Sequence, residues 1–285
     1  MRFLQAWMPR EEAIANSLGR SEMPADDVTQ FASRWEAARR ALDARPPYNG
    51  DAPQLEALPL ALAERAEKFR QRSDVVSAFQ NLNWTLGIAD LDCVLSLQKS
   101  IVADQAADRV AGIDPGDIEA LFSACLPDPA PPTDIECIVD PDHRGLTFFS
   151  PNPNLRLGRQ AFQQKPAGPG QSVPLLDLSG FALSLGLPFI QIGEFGGRWF
   201  VRDGYHRCYG FLRRGIRRIP CVLIRARSFE ELAGTPSSFI RQEVLFGPRP
   251  PYLKDFLDDE LSATALRRNI RKVVRISAQE FLIQI

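Results

Sequence analysis

The sequence predicts an α/β (α+β) protein, and three observations carry that prediction. Residues 24–45 place apolar or small side chains at Val28, Phe31, Ala32, Trp35, Ala38 and Leu42, the spacing of an amphipathic helix. Residues 189–224 alternate short apolar runs with one helical stretch, in the order strand, strand, helix, strand. Between these regions, Pro127-Asp128-Pro129-Ala130-Pro131-Pro132 breaks both patterns and reads as a linker. The expected partition is a mixed, mostly helical region over 1–132, an α/β domain over 133–227, and a short C-terminal extension over 228–285.

Taken in order, Asp26 and Asp27 suit the positive N-terminal turn of the first long helix. Two prolines and an Asn-Gly make Arg45-Pro46-Pro47-Tyr48-Asn49-Gly50-Asp51 a loop. A second helix is expected over 58–71. The runs at 84–88 and 93–97 are too short to show a decisive period and fit strand or helix. Asp114-Pro115-Gly116-Asp117 opens a helix that reaches Cys125. Past the linker, 136–139 and 146–149 read as strands, and 175–185 reads as a helix stopped by Gly186. Strands then follow at 189–192 and 198–201, a helix over 205–214 stopped by Gly215, and a strand over 219–224.

Composition removes several function classes. The chain has 34 Lys and Arg against 35 Asp and Glu, so no global field draws it to nucleic acid or an anionic membrane, and any such binding needs a local patch. Five cysteines without CxxC spacing cannot all pair, which fits a reducing, cytoplasmic setting. No run approaches the roughly 18 apolar residues of a membrane span. His143 and His206 are the only histidines and no Cys/His cluster accompanies them, so no metal ligands are assigned.

The chemistry concentrates at Asp203-Gly204-Tyr205-His206-Arg207, where a strand hands over to a helix. A helix N-terminus presents backbone N–H groups without intrahelical acceptors, and its dipole favours an anion there. Gly204 would let the anion approach, Arg207 would pair with it bidentately, and His206 would donate another hydrogen bond. Residues 204–227 carry Arg207, Arg213, Arg214, Arg217, Arg218, Arg225 and Arg227 and no acid, a strongly positive local stretch. The plain alternative is that Asp203 caps the helix, Gly204 makes the turn and the arginines solvate a face. Tyr205, Cys208, Phe211 and Leu212 share one helix face and should be buried, which makes Cys208 a core residue rather than a nucleophile.

Phe200-Val201-Arg202-Asp203-Gly204-Tyr205-His206-Arg207, followed by Gly215 and Ile219-Pro220-Cys221-Val222, resembles the strand, "DGxHR" turn, helix, glycine and "IPV" strand of the ParB/sulfiredoxin-like superfamily. Asn152-Pro153-Asn154-Leu155-Arg156 is similar to that superfamily's "NPxQPR" segment, and residues 184–190 to its helix-to-strand passage. The resemblance spans some 75 to 90 residues. It implies a nucleotide, ATP or CTP, bound with Mg2+, with Asp203, Gly204, Tyr205, His206, Arg207 and Arg156 as its binding residues. Tyr205 stands where sulfiredoxins have their reactive cysteine, which argues against sulfinic-acid reduction. Residues 228–285 show no helix-turn-helix, which argues against a partition clamp. The superfamily's kinases imply a general base, and Glu194 is the available carboxylate.

The expected function is therefore phosphate or nucleotide binding, extending to phosphoryl transfer or nucleotide hydrolysis. The alternative is a non-catalytic regulator or nucleic-acid-associated adaptor using the arginine-rich face. Expected partners are a nucleotide or phosphorylated small molecule, with nucleic acid under the alternative and no membrane. Three further segments take plain readings. The basic run 267–275 is a solvated helix or edge strand, Asp255, Asp258, Asp259 and Glu260 are a helix-start acidic cluster, and 247–252 is a rigid connector.

Overall fold

The computed structural model describes residues 1–18, 25–49, 53–128, 136–141, 145–149, 155–159, 181–185, 189–233, 239–265 and 273–277. Helices and mixed sheets together make an α+β protein. In chain order it has β1 (Arg2–Phe3), α1 (Arg10–Leu18), α2 (Ala25–Ala44), α3 (Ala63–Gln71), α4 (Ser73–Phe79), β2 (Asn83–Asp90), β3 (Leu95–Ser96) and β4 (Ser100–Ile101). There follow α5 (Ala103–Arg109), α6 (Ile118–Cys125), β5 (Glu136–Val139), β6 (Gly145–Phe149), β7 (Leu155–Arg159) and β8 (Phe181–Leu185). The remainder is β9 (Gln191–Phe195), β10 (Arg198–Asp203), α7 (Tyr205–Arg213), β11 (Arg218–Arg225), α8 (Phe229–Ala233), α9 (Gln242–Leu245), β12 (Ala263–Thr264) and β13 (Val273–Ser277).

The chain forms two compact units, one of Met1–Asp128 with Phe189–Arg267 and the other of Pro129–Pro188 with Arg268–Ile285. This partition differs from the one expected at 132 and 227. Residues 133–188 and 189–227 fall in different units, and the latter join the N-terminal region. The cause is strand pairing: β11 runs antiparallel to β2 from Arg218↔Asp90 to Arg225↔Asn83. Hydrogen-bond partners so distant in sequence leave no local signal.

The first unit is built on a five-stranded mixed sheet in the order β2-β11-β9-β10-β3. β11 is its second strand, and Ile219–Ile224 within it are all buried. That continuous apolar run is what a strand covered on both faces needs. Pro220 survives in so central a strand because of its register. Val222 donates its N–H to Ile190 on the β9 side, so by alternation Pro220 faces that side too, before the β9 ladder begins at Val222↔Gln191. The absent N–H therefore has no partner to miss.

The helix α7 connects β10 to β11 and ends as the sequence requires. Gly215 takes a φ of 74°. Ile216 N–H donates to Phe211 O (2.9 Å) and Gly215 N–H to Leu212 O (3.0 Å), the paired bonds of a Schellman stop. The apolar stripe lies inward, with Tyr205, Cys208, Phe211 and Leu212 buried. Close approach of α5 depends on Gly210, where any Cβ would run into the Ala106 carbonyl oxygen. Elsewhere in this unit Phe189 packs edge-on against Phe69 at 4.9 Å and lies 6.2 Å from Phe79, tying α3 and α4 to the start of β9.

In the second unit β13, β6 and β5 form one antiparallel sheet, and β7 and β8 form a two-stranded one. Residues 181–185 are therefore strand, where a helix over 175–185 was expected. Phe181, Leu183 and Leu185 alternate with Ala182 and Ser184, a period of two that the longer apolar stretch obscures. Residues 175–180, Gly186 and His143 lie outside the described residues. Residues 273–275 of the basic run fall on β13, an edge strand and one of the two forms expected for it, while 267–272 lie outside the described residues.

Candidate functional site

The turn begins where β10 leaves the sheet. Trp199, Phe200 and Val201 are buried and anchor the strand. A register irregularity between Val201 and Asp203 then shifts the chain relative to β9 before the helix starts. Asp203 Oδ1 accepts the Gly204 N–H at 2.7 Å. Gly204 has a φ of 91°, and a Cβ there would stand 2.8 Å from Ile190 Cγ1 and 3.1 Å from its Cα. The glycine is thus required by backbone conformation, as the turn reading of the sequence has it, and also by Ile190, which that reading does not name.

Tyr205 belongs to the core. Its side chain is buried and its hydroxyl donates to the Val201 carbonyl. Burial pushes the phenol well above its ordinary range, so it stays protonated. Its expected place among the ligand-binding groups is not where the structure puts it, because a tyrosine at this position faces inward along the helix stripe. Cys208 is fully buried, and burial pushes its thiol up to about 12, leaving it an inert core side chain.

His206 and Arg207 do occupy the helix start, each engaged with another segment. His206 Nδ1 accepts the Val102 N–H at 3.4 Å, which leaves the ring proton on Nε2. Burial, and then the charge of Arg109, pull its titration down to about 4, so the ring is neutral at pH 7. Arg207 Nη1 donates to the Ala124 carbonyl at 2.7 Å, satisfying an acceptor in the last turn of α6. Burial lowers its guanidinium below the ordinary value, the charge of Asp203 works in the opposite sense, and Arg109 adds a smaller downward push.

Arg109, at the end of α5, is the residue that sequence reasoning missed. Burial lowers its guanidinium also, and the charge of Asp203 works in the opposite sense. It lies 94 positions before Asp203, and its neighbours Asp108 and Val110 give no hint of a site. The sequence feature that could have pointed to close packing there is Gly210 in mid-helix, which the sequence reading passed over. Two partly desolvated guanidinium groups, a neutral imidazole and one carboxylate thus meet at the positive end of α7.

The remaining expected residues are elsewhere. Glu194 sits on β9 three residues beyond Gln191, the partner of Asp203, so about 10 Å of strand separates it from the turn. Its carboxylate pairs with Arg225 at 3.3 Å. Arg156 lies on β7 in the second unit, and its side chain is outside the described residues. The arginine run, free of acid in sequence, acquires acids in space: Arg217 with Asp92, Arg218 with Glu56, Arg225 with Glu194 and Arg227 with Glu231. Arg214 donates to the Val110 carbonyl. The positive field expected along 204–227 is offset accordingly.

Phosphate fits the groups at the turn, since Arg109, Arg207 and His206 Nε2 are all donors. Magnesium finds one carboxylate, Asp203, and no group of three His, Cys, Asp or Glu suited to a metal occurs among the described residues. Nor is any helix among the described residues long and apolar enough to cross a membrane. No family model matches the chain, and curated proteins and solved structures gave no significant match.

Proposed function

We propose that the chain binds a phosphate-bearing small molecule, a nucleotide such as ATP or CTP, at the N-terminus of α7. The observation that carries this reading is the start of α7 itself, where Gly204 brings the chain from β10 into the helix and His206, Arg207 and Asp203 gather, with the charge of Arg109 of α5 acting on all three. Burial costs both guanidinium groups their water, and an anion held at the helix N–H groups would offset that cost. The strand-Asp-Gly-helix-strand order, with its likeness to the ParB/sulfiredoxin-like superfamily, supports the same ligand. Neutral His206 would donate through Nε2. Mg2+ would arrive with the nucleotide, held chiefly by its phosphates and by Asp203.

Binding rather than phosphoryl transfer is the reading that the residues favour. Glu194 is too far along β9 to take a proton from an acceptor at the turn, and a general base must lie within hydrogen-bond reach. The nucleic-acid alternative is not favoured either, because Arg217, Arg218, Arg225 and Arg227 pair with acids and Arg214 with a carbonyl, so most of the face it needs is engaged. A reducing, cytoplasmic setting fits Cys93, Cys125, Cys137, Cys208 and Cys221, none of which is in a disulfide.

Calorimetric titration of ATP and CTP, with Mg2+, into wild type, Arg109→Gln and Glu194→Gln tests the proposal. Loss of one charge-assisted contact, worth about 1.5–3 kcal/mol, should weaken binding by roughly tenfold or more in Arg109→Gln. Glu194→Gln should bind as wild type does. Absence of nucleotide binding by wild type, or equal affinity of Arg109→Gln and wild type, refutes the assignment.

A further inference from the structure

A second candidate site lies in the same unit, lined by no residue of α7. A cavity of about 690 Å³ opens between the end of α2 with its following loop and residues 249–258. That volume falls within the range of about 300–1,000 Å³ usual for small-molecule sites. Its framework is fixed by Arg45. The Arg45 guanidinium bonds Asp255 at 2.6 Å and Asp258 at 2.7 Å, while its carbonyl accepts Arg249 Nε at 2.7 Å. The second oxygen of Asp255 accepts the Tyr252 N–H at 2.8 Å. Both carboxylates on the cavity wall are therefore spent.

Two other cations on the wall are not. Among the described residues, no carboxylate lies within ion-pair reach of Arg249 or Lys254. Arg249 is held in place through Nε, and among the described residues its terminal nitrogens have no acceptor. Lys254 sits over the Tyr252 ring at 5.1 Å, and that ring stacks on Tyr48 at 6.2 Å. Arg198 covers Tyr48 at 4.2 Å from its ring centre, so the aromatic pair is clamped between cations. The rest of the wall includes Leu42 and the prolines at 46, 47 and 250, which carry no backbone donor and present apolar surface.

We infer that this cavity binds a small molecule with an anionic head and a compact apolar body, of the class of aryl phosphate monoesters. The head is met by Arg249 and Lys254, whose two charges match a phosphate dianion, and the body by the leucine and the prolines. Phosphate is preferred to carboxylate because two cations, not one, lack an acidic partner.

Isothermal titration with phenyl phosphate, inorganic phosphate and phenol tests this site. Wild type should bind phenyl phosphate more tightly than either fragment. Lys254→Glu, at an exposed position, should fold normally and weaken phenyl phosphate at least tenfold, and Lys254→Met should fall between. Arg109→Gln should leave this affinity unchanged, which separates the cavity from the α7 site. No binding by wild type, no effect of Lys254→Glu, or loss in Arg109→Gln alone overturns the inference.

Discussion

Replacing Gly210 by alanine sets two effects of opposite sign against each other. In a helix interior alanine is favoured over glycine by about 1 kcal/mol, so propensity alone makes the variant more stable. The added Cβ, however, would strike the Ala106 carbonyl oxygen and stand 2.8 Å from Val110 Cγ2. Backbone cannot rotate aside as a side chain can, so α5 must move off α7, and overpacking of this kind costs about 1–3 kcal/mol. The net expectation is destabilisation by up to about 2 kcal/mol. Because α5 ends in Arg109 and follows Val102, which bonds His206, its displacement should also weaken nucleotide binding. Urea unfolding, followed by titration of the folded variant, measures both. A gain of about 1 kcal/mol, the propensity value, would mean that α5 does not press on Gly210 and that Arg109 is not held at the turn.

Two further perturbations test the electrostatics. His206 titrates near 4 in the folded chain against 6.5 unfolded, so its stabilising effect is complete above pH 6.5 and is lost as pH falls towards 4, to a limit of about 3 kcal/mol. Unfolding free energy measured from pH 7 to pH 4 should fall less steeply in His206→Gln, and identical slopes contradict the buried, neutral ring. Arg45→Met should cost about 2–3 kcal/mol, since it strands the buried Asp255, and Asp255→Asn in that background should restore part of the loss. Additive effects of the two substitutions in chemical unfolding would contradict the pairing.

The segment from 191 to 225 was legible because each of its elements carries its own local signal. Gly215 stops a helix through its left-handed φ, and the stripe Tyr205, Cys208, Phe211 and Leu212 has a helical period. β2 was not legible as a strand, and its pairing with β11 was legible still less. A short apolar run fits strand or helix equally, and the choice is made by a partner more than a hundred residues away. The same limit explains the domain boundary: prolines at 127–132 mark where the compact units part, but not that the chain returns to the first unit at Phe189.

The site divides along a similar line. His206 and Arg207 could be placed on the helix start from spacing alone, yet the direction of each side chain depends on what comes to meet it. Val102 and Ala124 do so through backbone groups, which any residue type supplies and no sequence pattern marks. Arg207 therefore has one observed contact and one proposed task that compete for one guanidinium: it satisfies the Ala124 carbonyl at the end of α6, and it would hold the anion at the start of α7. A planar group with five donors can serve both, with Nη1 on Ala124 and the remainder turned to an anion. Lysine there could not, since its ammonium lacks the fork. Arg207→Lys should consequently lose more anion affinity than the preserved charge suggests, and retained affinity in that variant would mean that charge alone, without geometry, operates at this turn.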